Sequence, residues 1–224
     1  GNTTPGIGGA IYFLGDGGHT LRIADSTISG NFASQGGSIL NGNGSASNSR
    51  LEVSNSTITN NSAINNVTSA GIFNVATIAG GSITATIRNS IIAGNAGFNL
   101  RIQAAAGSTA TFQTLGFNLS DNFGNFFTPL ATDITSATPR LAPLANYGGQ
   151  TPTHALLHAS PAINAGDASN ATTDQRGLPR VFGATADIGA VEVRPLVVTS
   201  AANGGAGSLR NILGGGGNAT LTDI

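Results

Sequence analysis

Ten carboxylates make up the acidic chemistry of this 224-residue chain: Asp16, Asp25, Asp121, Asp133, Asp167, Asp174, Asp187, Asp223, Glu52 and Glu192. Cleaving a glycosidic bond usually takes two of them about 5–9.5 Å apart. Six charged residues crowd one late stretch: Asp167, Asp174, Arg176, Arg180, Asp187 and Glu192. There Arg176 is expected to pair with Asp174 or Asp187, because a planar guanidinium fork ties a loop to its neighbour through two bonds at once. Asp167 and Asp174, with backbone carbonyls, offer hard oxygens of the kind Ca²⁺ takes, but their spacing matches no EF-hand and no metal is assigned. His154 and His158 lie four apart in a segment that reads as a strand, Thr153 to Leu157. Both should point to one side, and two imidazoles without a third ligand are read as hydrogen-bonded structural groups. Ser, His and Asp for a hydrolytic triad are all present, yet no Gly-x-Ser-x-Gly elbow joins a strand to a helix. Cys is absent, which removes disulfides, thiolate metal sites and thiol nucleophiles. The expectation is no catalytic residue, no cofactor and no enzyme.

Positioning such residues falls to elements made without much charge. Charged residues are 8% of the chain against about 25% in an ordinary soluble domain. The net charge of −1 rules out a polybasic surface, so nucleic acid is not a partner. No apolar run is long enough for membrane insertion as a helix. With 39% hydrophobic residues the chain is not disordered, and its Gly, Asn, Ser, Thr and β-branched residues favour strands over helices.

The strands show themselves as repeats. Leu21-Arg-Ile-Ala-Asp-Ser-Thr-Ile-Ser-Gly-Asn31 recurs as Leu51-Glu-Val-Ser-Asn-Ser-Thr-Ile-Thr-Asn-Asn61 and Ala85-Thr-Ile-Arg-Asn-Ser-Ile-Ile-Ala-Gly-Asn95, and more weakly as Phe112-Gln-Thr-Leu-Gly-Phe-Asn-Leu-Ser-Asp-Asn122. Their last Asn residues are 30, 34 and 27 positions apart, with no insertion inside the motif. Upstream lie Gly8-Gly-Ala-Ile11, Gly36-Gly-Ser-Ile39 and the degenerate Ser69-Ala-Gly-Ile72. Strands of fixed length joined by variable loops, stacked about 4.8 Å apart, describe a parallel β-helix, an all-β solenoid. Ile28, Ile58, Ile92 and Leu119 should form one inward column, and Ile23, Val53 and Ile87 another. Asp25, Asn55 and Asn89 mark one corner. Asn31, Asn61, Asn95 and Asn122 mark the next, where stacked amides can bond as a ladder. Residues over Asp25 are then Asn55, Asn89 and Gly116, and those under Asp121 are Gly94, Asn60 and Gly30, so the coils assemble no acidic pair. Arg22 should face Glu52 as an exposed pair.

Beyond Asn122 the repeat fades into Phe123, Phe126 and Phe127 and then closely spaced prolines, which cannot donate to a ladder. A loop-rich cap is expected there, sealing the open end, with strands at 153–157 and 188–193. Thr114-Leu-Gly-Phe-Asn-Leu-Ser120, Pro139-Arg-Leu-Ala-Pro-Leu-Ala-Asn-Tyr-Gly-Gly-Gln-Thr151, Ala159-Ser-Pro-Ala-Ile-Asn-Ala-Gly-Asp167, Asp174-Gln-Arg-Gly177 and Asp187-Ile-Gly-Ala-Val-Glu192 resemble the choice-of-anchor Q segment that closes right-handed parallel β-helices in bacterial surface proteins. The resemblance covers about residues 6–193 and implies that right-handed fold and an extracellular or cell-surface setting, with no catalytic residue to carry over.

The division is therefore 1–125 as β-helix coils, 126–195 as loop-rich cap, and 196–224 as a tail. The tail, with Val197, Val198, Leu209, Arg210 and Ile212, resembles the opening of a further β-helix, with a short helix from Ser208. The chain begins at Gly1 without a leader, as a processed chain or a segment of a longer one would. Either one period of a tandem array or a subunit whose tail covers the first coil of its neighbour fits this order. Both give a head-to-tail homopolymer, a structural surface fibre without catalysis. The competing reading is a carbohydrate-binding adhesin or polysaccharide-degrading enzyme with surface glycans as partners. Aromatic residues at 5%, with only Tyr12 and Tyr147 besides Phe, supply little sugar platform.

Overall fold

The computed structural model describes residues 1–64, 69–168, 171–194, 200–205 and 208. The chain winds through about four turns of a parallel β-solenoid. Its first turn holds β1 (Ile11–Gly15), β2 (Thr20–Ala24), β3 (Thr27–Ser29) and β4 (Phe32–Ala33). The second holds β5 (Ile39–Asn43), β6 (Asn48–Ser54), β7 (Thr57–Thr59) and β8 (Ser62–Ala63). The third holds β9 (Ser69–Ala76), β10 (Ser82–Arg88) and β11 (Ile91–Ile92). The fourth holds β12 (Phe98–Ala104), β13 (Thr109–Thr114) and β14 (Leu119–Ser120), and β15 (Ile134–Thr135) adds one more rung. Strands stack as β1-β5-β9-β12, β2-β6-β10-β13, β3-β7-β11-β14-β15 and β4-β8, each pair parallel.

Two corners explain the repeat motif. Asp25, Asn55 and Asn89 sit at φ 46°, 45° and 47°, with Gly116 at 90° in the fourth turn. Asn and Asp tolerate this left-handed region and β-branched residues do not, which is why the position reads Asp, Asn, Asn, Gly. At the second corner the left-handed residue is Gly30, Asn60 or Gly94, one before the conserved-looking amide of each copy. In the Gly-Gly motif the first glycine turns the chain (Gly8 φ 68°, Gly36 φ 61°). The second has no space for a side chain: a Cβ on Gly9 would lie 2.1 Å from the Gly37 carbonyl oxygen.

Inside, period-2 alternation stacks equivalent apolar residues. Leu21 lies on Leu51 and Leu51 on Ala85; Ile23, Val53 and Ile87 pair in order; Ile28 pairs with Ile58 and Ile58 with Ile92. The fourth turn departs from expectation. Leu119 pairs with Ile91, not Ile92. Between Ile87 and Ile91 the chain advances four residues, but between their partners Thr114 and Leu119 it advances five. The extra residue, Phe117 at φ 59°, follows the left-handed Gly116. A one-residue slip flips every following side chain to the other face. Leu119 therefore turns outward with Ile91, and both pack against Leu156, Ala162 and Ile188. Phe123 and Phe127, stacked at 4.4 Å between ring centroids, pack onto the far end of the inner core instead.

The prolyl segment does not sit over that end. The described residues of 139–168 and 171–193 run along the side of the β3-β7-β11-β14 sheet and reach the first turn, where Thr27 Oγ1 lies 2.7 Å from Thr153 Oγ1. Ala190 N–H donates to Thr57 Oγ1 (3.0 Å) and Gly189 N–H to the Asn89 carbonyl (3.0 Å). The strands expected at 153–157 and 188–193 are replaced by single antiparallel bridges, Leu141 with Leu156 and Ala145 with Thr153, and by loop. The short outward residues of these narrow rungs, Thr27, Ser29 and Thr57, leave a shallow face on which irregular chain packs and finds hydrogen-bond partners.

Candidate functional site

The cap is held by the charged residues singled out in the sequence. Asp174 Oδ2 accepts from Arg176 Nη2 (2.8 Å) and Nε (3.0 Å) and from Glu192 N–H (3.0 Å), while Oδ1 accepts from Arg176 N–H (2.8 Å). Both side chains are buried, so this ion pair with its backbone bonds is a structural tie. Asp187 is not the partner of Arg176. Its oxygens accept from the Asn164 and Val193 N–H groups at 2.7 and 2.6 Å. Glu192 Oε2 accepts from Asp187 N–H (2.9 Å) and Oε1 from Phe182 N–H (2.8 Å). Burial, and then the neighbouring Asp187, push the Glu192 carboxyl up to about 7. Burial also raises Asp187. The guanidinium among them is Arg180, 1% exposed, donating from Nη2 to the Asp187 and Gly189 carbonyls.

Asp167 and Asp174 each have an arginine partner of their own. Asp167 is bonded to Arg88 of β10, Asp174 to Arg176, and no group of three or more potential metal ligands occurs among the described residues. An arginine on each carboxylate opposes a second positive charge there.

A second constellation forms where the cap meets the first turn. Thr27 and Ser29 of β3 share its outward face. Thr27 Oγ1 donates to Gln175 Oε1 (2.6 Å), and Ser29 Oγ lies 2.8 Å from His154 Nε2. The other ring nitrogen, Nδ1, lies 2.7 Å from the Ala142 carbonyl oxygen. A carbonyl only accepts, so Nδ1 carries the proton. Burial lowers the His154 pKa and keeps the ring neutral, and Nε2 accepts the Ser29 hydroxyl proton. His158 is exposed rather than on the same side, because 153–157 is not a strand. Beside Ser29 opens a groove of about 480 Å³, lined also by Asp25, Thr27, Leu144, Pro152 and Gln175. Burial raises the Asp25 pKa, and its Oδ1 has no hydrogen-bond partner among the described residues.

The amide ladder forms as expected over three turns and extends to an unforeseen member. Asn31 Oδ1 accepts from Asn2 N–H (2.9 Å), Asn61 Oδ1 from Asn31 Nδ2 (2.8 Å) and Asn95 Oδ1 from Asn61 Nδ2 (2.9 Å). Asn122 does not join. After the register slip it is exposed, and its Oδ1 accepts from Gly124 N–H. Asn95 Nδ2 passes instead to Asn99 Oδ1 (2.9 Å). A second ladder escaped the sequence reading: Ser26 N–H to Ser56 Oγ, Ser56 N–H to Ser90 Oγ and Ser90 N–H to Asn118 Oδ1, at 3.3, 3.2 and 3.1 Å. The signal was present, since a Ser follows the corner residue in three copies. Arg22 and Glu52 pair at 2.7 Å with Arg22 largely in solvent. The expectations for Val197, Val198, Leu209, Arg210 and Ile212 lie outside the described residues.

These features define a parallel β-solenoid with hydrogen-bonded corner ladders and an irregular lateral cap. No family model matches the chain, and no curated protein or solved structure matches it either.

Proposed function

We propose that this chain is a structural unit of an extracellular, cell-surface fibre, joined head-to-tail to further copies through its C-terminal tail. The likeness of residues 6–193 to choice-of-anchor Q surface proteins supports the setting. One observation supports the assembly: core positions of the first turn are only half covered. Leu21 is half-buried, whereas Leu51 and Ala85 in the same column are 0% exposed. Ile11 is likewise half-buried above Ile39, Ile72 and Leu100, each 0% exposed. β1, β2 and β3 are the outermost strands of their sheets, so one row of backbone N–H and C=O groups on each accepts another rung. At the opposite end Phe123 and Phe127 pack onto the core, while Phe112 of β13 stays half-buried against it. Two unlike end faces, bare strands at the first turn and the Phe123–Phe127 stack at the last, suit a heterologous contact, which propagates as a filament when its rotation does not close.

Negative-stain electron microscopy of the purified chain, with and without residues 196–224, tests this. Rods longer than one unit, lost on truncation, are expected; discrete monomers from the full chain at high concentration would overturn it.

A further inference from the structure

Ser29 and His154 are 125 positions apart in sequence and meet only because the cap runs back to the first turn. Their arrangement is that of a hydroxyl nucleophile, a neutral imidazole base and a group that orients the base. The serine hydroxyl points at Nε2 (2.8 Å), and the Ala142 carbonyl holds Nδ1–H (2.7 Å), fixing tautomer and ring plane. His154 is 2% exposed, so the base is shielded, while Ser29 is half-buried and lines the groove of about 480 Å³. The groove's apolar wall is Leu144, 44% exposed, with Pro152. Its polar wall includes Asp25, whose carboxylate disfavours an anionic guest. A small, neutral, partly apolar molecule fits both walls.

We propose that Ser29 and His154 form an acyl-transfer site that takes the acyl group of a small neutral carboxylic ester. Ser29 Oγ bonds to the ester's carbonyl carbon while His154 Nε2 takes the hydroxyl proton. The tetrahedral adduct breaks its bond to the alkoxy oxygen, which leaves as the alcohol with the proton from Nε2. Water then adds to the Ser29 ester with its proton passing to Nε2. That proton returns to Ser29 Oγ as the carboxylic acid departs. The site lies on the side of the solenoid and is independent of assembly at its open end.

The full chain incubated with p-nitrophenyl acetate at neutral pH tests this cleanly, because it has neither Lys nor Cys to take up acetyl groups. A burst of p-nitrophenol and an acetyl adduct mapped by mass spectrometry to the peptide holding Ser29 are expected. Ser29→Ala, which leaves the His154 bond to Ala142 in place, is to lose that adduct. His154→Gln is to slow its formation about 100-fold, the usual share of a general base. Circular dichroism of both variants establishes that they are folded. Wild-type protein that acquires no adduct at Ser29, or acquires it as fast in folded His154→Gln, overturns the proposal.

Discussion

Glu192 shows how strongly a single side chain can feel this fold. It is 0% exposed, and burial, with Asp187 beside it, pushes its carboxyl up from the ordinary 4.5 to about 7. Arg180 faces it and favours its charged form, and Asp174 accepts its backbone N–H, yet burial prevails. The folded state therefore keeps a proton that the unfolded chain has already released. Any group whose folded pKa is raised contributes stability below its unfolded pKa and loses it as pH climbs to the folded one. Between pH 4.5 and about 7, Glu192 should cost stability progressively, on the order of 3 kcal/mol across the window at about 1.4 kcal/mol per unit. Glu192→Gln is expected to flatten this part of the profile, read as urea midpoints at several pH values. A slope unchanged by the substitution would count against a buried, late-titrating Glu192. His154 acts in the opposite direction: its folded pKa is lowered, so its contribution fades as pH falls below about 6.5.

Among elements, the corner ladders replace the charge pairs that the composition lacks. Asn61 is 0% exposed and uses both ends of its amide, donating to Asn95 Oδ1, the Ile28 carbonyl and the Thr59 carbonyl while accepting from Asn31. Asn61→Ala leaves the Asn31 N–H and several acceptors buried without partners. At about 1–3 kcal/mol for an abandoned buried group, the expected loss is about 3 kcal/mol in denaturant unfolding, and a loss under 1 would refute the ladder's role. Much of this element was legible beforehand. The amide positions, the aliphatic columns and the Asp/Asn corner follow from residue types repeated at stacked positions. The fourth turn was not legible, because by residue type Leu119 and Asn122 fit their columns best with no inserted residue, and nothing in Phe112-Gln-Thr-Leu-Gly-Phe-Asn-Leu marks Phe117 as extra. Backbone geometry at Gly116 and Phe117 decides that register, and with it the fates of Leu119 and Asn122.

For the whole molecule, the lateral cap makes two sequence regions into one folding body. Their contact leaves no slack at Gly189: φ is 107°, and a Cβ there would stand 2.8 Å from Ile91 Cδ1 and 2.9 Å from Thr57 Oγ1. The native chain should unfold in a single transition. Gly189→Ala should cost about 2 kcal/mol through strain and lost contact, and should raise hydrogen exchange across 139–193 before the coils open. Equal protection of both regions in the variant would refute that coupling. The sequence alone determined a parallel solenoid, its inward columns and its corners, because stacking places like residues on like and so writes the period into the chain. Only the tertiary structure decided where the cap lies and what it brings together. Ser29 with His154, Arg88 with Asp167 and Thr57 with Ala190 join segments from about 80 to 130 residues apart. Such contacts depend on which way an irregular chain turns after its last coil, and irregular chain has no period from which that direction can be read.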